Sequence, residues 1–246
     1  MSQLRLPRAI ALVVALAMAL SACARSPDPA SLTFDPYEPQ NRQVHAFNLE
    51  VDRRAWGPTA RAYGRTVPEP VRTGLSNLRA NWRLPHQTVQ YGLQGRPALA
   101  GRSALRFIVN TTFGVGGVFD PATAGGVELR YTNIDETLHV WGVREGAYVV
   151  APFGGPGTER DWTGWVLDLA LDPVNLVLPT AGLQALFGVG TLDLANERYI
   201  LDPALETILY ESADGYTALR ISYLQAMRAR LQDGTDLDLL EDIYDF

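Results

Sequence analysis

Two stretches of almost uncharged sequence set the strongest limit on how this chain can fold. Between Phe107 and Val127 the only charge is Asp120, and between Pro173 and Leu192, PVNLVLPTAGLQALFGVGTL, there is none. Each is about twenty residues, the length of a helix that crosses a bilayer. Neither reads as a clean span, because Pro121, Pro173, Pro179 and several glycines interrupt the helix. The pattern fits short, broken helices in or against one leaflet, their unpaired backbone shielded inside the protein. Periodicity alone fits a buried core segment of a soluble domain at least as well.

The N-terminus bears on that choice. Arg5 and Arg8 precede an apolar run, AIALVVALAMAL, from Ala9 to Leu20. This is the charged region and short hydrophobic region of a secretory signal, too short to span comfortably. It ends in Leu20-Ser21-Ala22-Cys23, which resembles a bacterial lipobox, in which the signal is cleaved before a cysteine that becomes lipidated. The other reading is a soluble secreted protein with a stray thiol. Cys23 is the only cysteine, so no internal disulfide can form in the oxidising compartment. By resemblance to sorting signals of enteric bacteria, Ala24 in place of aspartate favours the outer membrane. The expected order is a signal peptide (1–22), a lipidated tether (23–34), a main domain (35–232) and an acidic tail (233–246).

Losing the signal takes Arg5 and Arg8 with it, so the net charge moves from −6 to −8 and nucleic-acid binding is a poor expectation. All 21 basic residues are arginine. With no lysine, a Walker-type phosphate loop and a Schiff-base lysine are excluded. Basic residues concentrate before Asn110 and acidic ones after it. The tail from Asp233, rich in aspartate, is expected to stay solvated or to dock a basic partner.

Most of the chain reads as helix. Asp35-Pro36 opens one through Trp56, Pro68 and Pro70 start another to about Asn81, and Pro85 precedes a short one over 86–93. Gly95-Arg96-Pro97 breaks the chain before a helix over 98–110, and Asp202-Pro203 and Asp214 start later helices. Only Tyr148–Ala151 has strand-like chemistry. The class is mainly α, without the strand–helix alternation of a nucleotide-binding sheet.

Catalytic constellations are hard to find. His45, His86 and His139 show no metal-ligand spacing. Gly74-Leu75-Ser76-Asn77-Leu78 approaches a nucleophile elbow but lacks the final glycine and a preceding strand. Asp168 and Asp172 share a helix face, most simply as a polar stripe. The segment Gly114-Val115-Gly116-Gly117 has Phe119 where a dinucleotide loop needs its last glycine, and it follows a helix instead of a strand.

Whole segments resemble the MlaA/VacJ family of outer-membrane lipoproteins. DPYEPQNRQVHAFN (35–48) is similar to its opening motif, VPEPVRTGLSNLRANWRLPHQTVQYGLQGRP (67–97) to its next block, and GRSALRFIVNTTFGVGGVFDPA (101–122) to its most recognisable one. The similarity continues through 136–173 and the late DGYTALRISYLQ (214–225). A local departure falls at Asp135–His139, where Glu136 replaces an amide and His139 a small residue. The motif residues carried over are Asp35, Pro36, Asn41, Arg42, Asn110, Thr111 and Asp120.

The resemblance implies a non-enzymatic lipid-transport protein without cofactor or metal. Its expected architecture is a ring-like bundle of short, partly membrane-embedded amphipathic helices around an amphipathic channel. Phospholipids that have strayed into the outer leaflet are expected to pass through it to a periplasmic carrier, with a trimeric porin as a further partner. Channel or membrane contacts are then expected at Phe107, Phe113, Val115, Val118 and Phe119 in the first apolar stretch. In the second they are expected at Leu176, Val177, Leu178, Leu183, Leu186 and Phe187. Gly114, Gly116 and Gly117 are expected to supply backbone bends and close packing. Arg106 is a candidate for headgroup contact, with a helix-surface salt bridge as its other reading. Two alternatives stand beside the conduit: an envelope lipid hydrolase using Ser76, His86 and an aspartate, and a structural lipoprotein that scaffolds porins.

The lipobox carries its own prediction. Cys23→Ala abolishes incorporation of labelled fatty acid, and labelling that persists in this variant rules Cys23 out as the acceptor.

Overall fold

The computed structural model describes residues 31–244. The signal region, Cys23 and the tether up to residue 30 lie outside it, as do the side chains of Leu176 and of 233–246.

The path is mainly helical. Helix α1 (Glu38–Val51) runs through a π turn (Asp52–Trp56) directly into α2 (Gly57–Thr66). Helix α3 spans Glu69–Leu93 and α4 spans Pro97–Phe113. Two short helices follow, α5 (Pro121–Ala124) and α6 (Ile134–Val140). A hairpin pairs β1 (Tyr148–Ala151) antiparallel with β2 (Gly155–Thr158), Tyr148 opposite Thr158. The chain then forms α7 (Glu159–Leu171), α8 (Pro173–Val177), α9 (Thr180–Ile200), α10 (Asp202–Glu206), a second π turn (Thr207–Glu211) and α11 (Gly215–Tyr244).

Capping follows the sequence closely. Thr158 and Asp161 form a capping box at α7, while Asp120, Asn133 and Asp172 cap α5, α6 and α8 with their side chains. Two expectations fail. The chain does not break near Asn81, because α3 continues through Pro85 to Leu93. An interior proline costs a helix about 3 kcal/mol, but α3 is the hub of the fold and packs against α4, α6, α8 and α9. The second strand, Gly-Pro-Gly-Thr, has no strand propensity of its own; pairing with β1 imposes it.

The hairpin is tied to α1 by asparagine amides. Asn41 Nδ2 donates to Tyr148 O at 2.9 Å and Asn41 Oδ1 accepts from Val150 N at 2.9 Å. Two helical turns later Asn48 does the same, donating to Ala151 O and accepting from Phe153 N, both at 2.9 Å. These amides satisfy the free edge of β1 as another strand would. Beneath the hairpin, Tyr148 and Val150 join Tyr216, Leu224, Met227 and Leu231 of α11 in an apolar core. The Asp35 side chain, wholly buried, binds this core to the N-terminal segment. It accepts from Asn41 (3.0 Å), Arg220 (3.0 Å) and the Tyr216 hydroxyl.

The amide zipper predicts that Asn41→Ala leaves a buried strand N–H and carbonyl unpaired, a cost of about 2–4 kcal/mol. Thermal unfolding should show a clear drop for Asn41→Ala and a smaller one for Asn48→Ala, whose partners are more exposed. Equal stability of wild type and Asn41→Ala would exclude the zipper as the hairpin's clamp.

Candidate functional site

The distribution of polarity is reversed from that of a soluble bundle. Among the described residues, 14 hydrophobic residues are buried, 20 polar or charged ones are buried, and 25 large hydrophobic ones are exposed. Scattered exposed apolar side chains are ordinary, but contiguous ones mark a lipid or partner surface. Both low-charge stretches supply them. Phe113 is 75% exposed, Val115 70%, Phe119 61%, Val177 83% and Phe187 79%. The buried-core reading of these segments fails at these residues. Phe107, Val118, Leu178, Leu183 and Leu186 are half-buried. Among the described residues no helix is long and apolar enough to cross a membrane.

Polar side chains turn inward along α3 and its neighbours. Gln94 Nε2 donates to Thr132 Oγ1 (2.7 Å) and Thr137 Oγ1 (3.0 Å), and the Thr137 hydroxyl donates to Gln90 Oε1 at 2.8 Å. Arg96 donates to Glu136 at 2.7 Å, and Arg160 to Asp135 at 2.7 Å with His139 beside it. Of the two residues that depart from the family pattern here, Glu136 is held by an ion pair and His139 lies 3.4 Å from Arg160 Nη1. Gln87 is buried with both amide ends unpartnered among the described residues, the condition of a side chain that meets water or a ligand.

The glycine-rich loop folds against this polar face. Gly116 and Gly117 adopt positive φ, and Val115 follows at 54°. A Cβ on Gly117 would lie 2.5 Å from the Asn81 side chain, so only glycine permits the approach. Asn81 Nδ2 donates to Thr111 Oγ1 (3.0 Å) and Gly116 O (3.3 Å), and Asn77 Nδ2 to Val118 O (3.1 Å). The loop's carbonyls thus point at α3, while its phenylalanines point away. The backbone N–H groups that a phosphate would need are also engaged, Gly116 N donating to Thr111 O (3.0 Å) and Gly117 N and Phe119 N to Gly114 O (3.2 and 2.9 Å).

Arg106 is not a free cation. It is 2% exposed and donates to Asp120 Oδ2 (2.8 Å), Thr123 Oγ1 (2.9 Å) and Val127 O. The headgroup reading of Arg106 gives way to a buried ion pair that closes the loop. Asn110 joins it, donating to Asp120 Oδ1 at 2.9 Å and accepting from Ala122 N at 3.0 Å. Burial pulls the Asp120 pKa upward, but hydrogen bonds from Thr123, Asn110 and Arg106 outweigh this and hold it below the ordinary value.

Above the loop lies a pocket of about 90 Å³, lined by Ser76, Asn77, Asn81, Arg106, Asp120 and Tyr131 among others. Asn81 Oδ1 and Arg106 Nε are unpartnered there among the described residues. The volume suits a few waters at about 30 Å³ each. Next to it, α3 and α9 meet through a cluster of charged side chains. Arg79 donates to Asp193 (2.6 Å) and approaches Glu197 (3.4 Å), and Ser76 donates to Asp193. Arg83 is exposed, and none of the described residues forms an ion pair with it. Its charge neighbours are Arg79, Tyr131, Asp168 and Glu197. Sequence reading missed Arg83 because it broke the helix at Asn81. The available signal was the i, i+4 spacing of Arg79 and Arg83 on one continuous helix.

The hydrolase constellation does not assemble. Ser76 and His86 are ten residues apart on one helix, about 15 Å along its axis. Ser76 serves Asp193 on α9. His86 Nε2 lies 2.8 Å from Asp168 on α7, without the alignment of a hydrogen bond. No group of three or more metal-ligating side chains occurs among the described residues.

A helical protein with polar groups paired inside and apolar side chains outside is built to meet lipid. The MlaA lipoprotein family matches residues 33–230, and the chain belongs to that family. A Haemophilus influenzae relative, the intermembrane phospholipid transport system lipoprotein MlaA, is 31% identical over 93% of this chain and 92% of its own length. The Escherichia coli protein of the same name is 36% identical over 84% and 82%, and an uncharacterised Rickettsia felis protein is 33% identical over 81% and 78%. A solved structure, from work on the structural basis for maintenance of bacterial outer membrane lipid asymmetry, superposes with a TM-score of 0.68. It shares 29% identity and covers 80% of this chain and 99% of its own.

The loop clamp predicts that Asp120→Asn, which strands a buried guanidinium, costs about 3–5 kcal/mol. Because the Asp120 pKa is depressed on folding, its contribution is complete above about pH 4. It is lost as the pH falls through the folded-state value. Hydrogen exchange over 110–123 as a function of pH measures both effects; protection unchanged in Asp120→Asn would refute the clamp.

Proposed function

We propose that this chain is an outer-membrane lipoprotein, anchored through Cys23 on the periplasmic side, that draws mislocalised phospholipid from the outer leaflet. The lipid passes through an amphipathic channel to a soluble periplasmic carrier, so that lipid asymmetry is maintained. The observation that carries this reading is the reversed polarity: paired polar groups within, and Phe113, Val115, Phe119, Val177 and Phe187 facing outward. Burying such a side chain is worth about 1.5–3 kcal/mol each. Five together are on the order of 10 kcal/mol, comparable to the whole stability of a domain, so these residues belong in lipid.

The named relatives of Haemophilus influenzae and Escherichia coli, components of intermembrane phospholipid transport, support the direction of this reading. The domain from 35 to 232 acts as a passive conduit that performs no bond chemistry, and the energy for transport comes from elsewhere. A trimeric porin is the expected neighbour in the membrane. The acidic tail from Asp233 is the segment suited to the carrier.

Deleting the gene is expected to raise outer-leaflet phospholipid several-fold and to weaken detergent resistance, with both restored by the full-length chain. Unchanged outer-leaflet lipid in a clean deletion would sink the proposal. Transfer of labelled phospholipid from reconstituted protein to a carrier separates conduction from porin scaffolding.

A further inference from the structure

In the pocket above the glycine-rich loop, the buried polar side chains have spent nearly all their hydrogen bonds, and the two groups left over are of opposite kinds. Asn110 uses both ends of its amide, on Asp120 Oδ1 (2.9 Å) and Ala122 N (3.0 Å). Asp120 accepts at both oxygens, from Asn110, Thr123 and Arg106. Arg106 gives Nη1 to Thr123 Oγ1 and Val127 O and Nη2 to Asp120, so its charge is spent and the N–H on Nε remains. Asn81 gives Nδ2 to Thr111 Oγ1 and Gly116 O, so its carbonyl Oδ1 remains. Asn81 is 1% exposed and Arg106 2%, which makes each idle group costly. Ala80, Leu84 and Leu129 supply an apolar wall to the same pocket, and the exposed Tyr131 marks its mouth.

This lining selects by elimination. An anion would meet the Asp120 carboxylate and the Asn81 carbonyl. An ammonium would meet the remaining N–H of a guanidinium. A neutral hydroxyl suits both leftovers, accepting from Arg106 Nε and donating to Asn81 Oδ1. Water has the same two abilities, but it leaves the three apolar side chains facing a polar filling. Hydroxyls carried on adjacent carbons cover them, in the usual balance of a small-molecule site. The cavity of about 90 Å³ has the room of three waters at about 30 Å³ each, enough for a three-carbon polyol. We propose that this pocket binds a vicinal diol, carried by the terminal glycerol of a phosphatidylglycerol headgroup or by free glycerol. With the lipid as source, the site rests on the conduit reading and gives that conduit a headgroup preference. The phosphodiester then stays outside at the Tyr131 mouth, so that Arg106 meets a hydroxyl and not a phosphate.

The test uses full-length lipidated protein in proteoliposomes and the variant Ala80→Leu, which fills the pocket from its apolar wall and removes none of these hydrogen bonds. Circular dichroism and the melting temperature check its folding; Leu129→Phe, which fills the same space from the loop, replaces it if it does not fold. Hydrogen exchange over 114–119 is read in glycerol and, at equal concentration, in propane-1,3-diol, which lacks the vicinal pair. Glycerol is expected to slow exchange several-fold more than propane-1,3-diol in the wild type, and no more than it in the filled variant. Transfer of labelled phosphatidylglycerol and phosphatidylethanolamine to acceptor vesicles separates the two sources. A preference of about tenfold for phosphatidylglycerol that disappears on filling assigns the lipid headgroup. Equal transfer of both lipids, with the glycerol effect present, assigns the free polyol. Absence of both the glycerol effect and the lipid preference leaves the pocket to water and overturns the proposal, as does an effect that survives filling. Wild-type protein that moves neither lipid overturns the conduit reading, while the exchange data still decide the pocket.

Discussion

A chain that turns its apolar side chains outward has to be held together from within by polar groups that satisfy one another. That requirement governs this fold. Its interior carboxylates each gather partners from distant parts of the sequence. Asp35 joins Asn41 and Arg220, Asp52 meets Arg198 through both oxygens, Asp120 gathers Arg106 and Asn110, and Asp135 takes Arg160 and Arg230. A buried ion pair contributes little relative to well-packed hydrophobes, but removing one partner is severe. The network therefore acts chiefly as a constraint on geometry. It lets one arrangement of the helices avoid stranded charges, while the apolar residues are left free for another phase.

The same logic explains why glycine and asparagine recur where helices meet. Asn41, Asn48, Asn77 and Asn81 are each two-sided groups that dock a strand edge or loop carbonyls onto a helix. The neighbouring backbone must come close, so Gly117 sits against Asn81 and Gly164 against the backbone of Asp135. Both devices satisfy backbone groups without water, as a protein partly immersed in lipid requires.

Local chemistry was legible in the sequence; pairing over distance was not. Asp35-Pro36, Asp202-Pro203 and Asp214 marked the starts of α1, α10 and α11, and the uncharged stretches marked the exposed apolar surface. Pro85 misled because its cost is local while the packing of α3 that offsets it comes from four other helices. Gly155–Thr158 became a strand only through β1, so no property of GPGT could announce it. Arg106 lay at the edge of an apolar stretch, and adjacency suggested a headgroup. Its three partners lie 14 to 21 residues further on, beyond the reach of helical spacing.

The exclusive use of arginine gains a structural meaning in this setting, whatever its compositional origin. Arg160 spreads its donors over Asp135, the Val143 carbonyl and Met227, and Arg198 holds Asp52 with two nitrogens while reaching Asp202 with a third. A guanidinium can serve several acceptors in fixed directions and stays charged when water is withdrawn. A lysine in the same place would offer a single compact charge that deprotonates readily on burial. The interior carboxylates are therefore held by cations whose protonation does not vary.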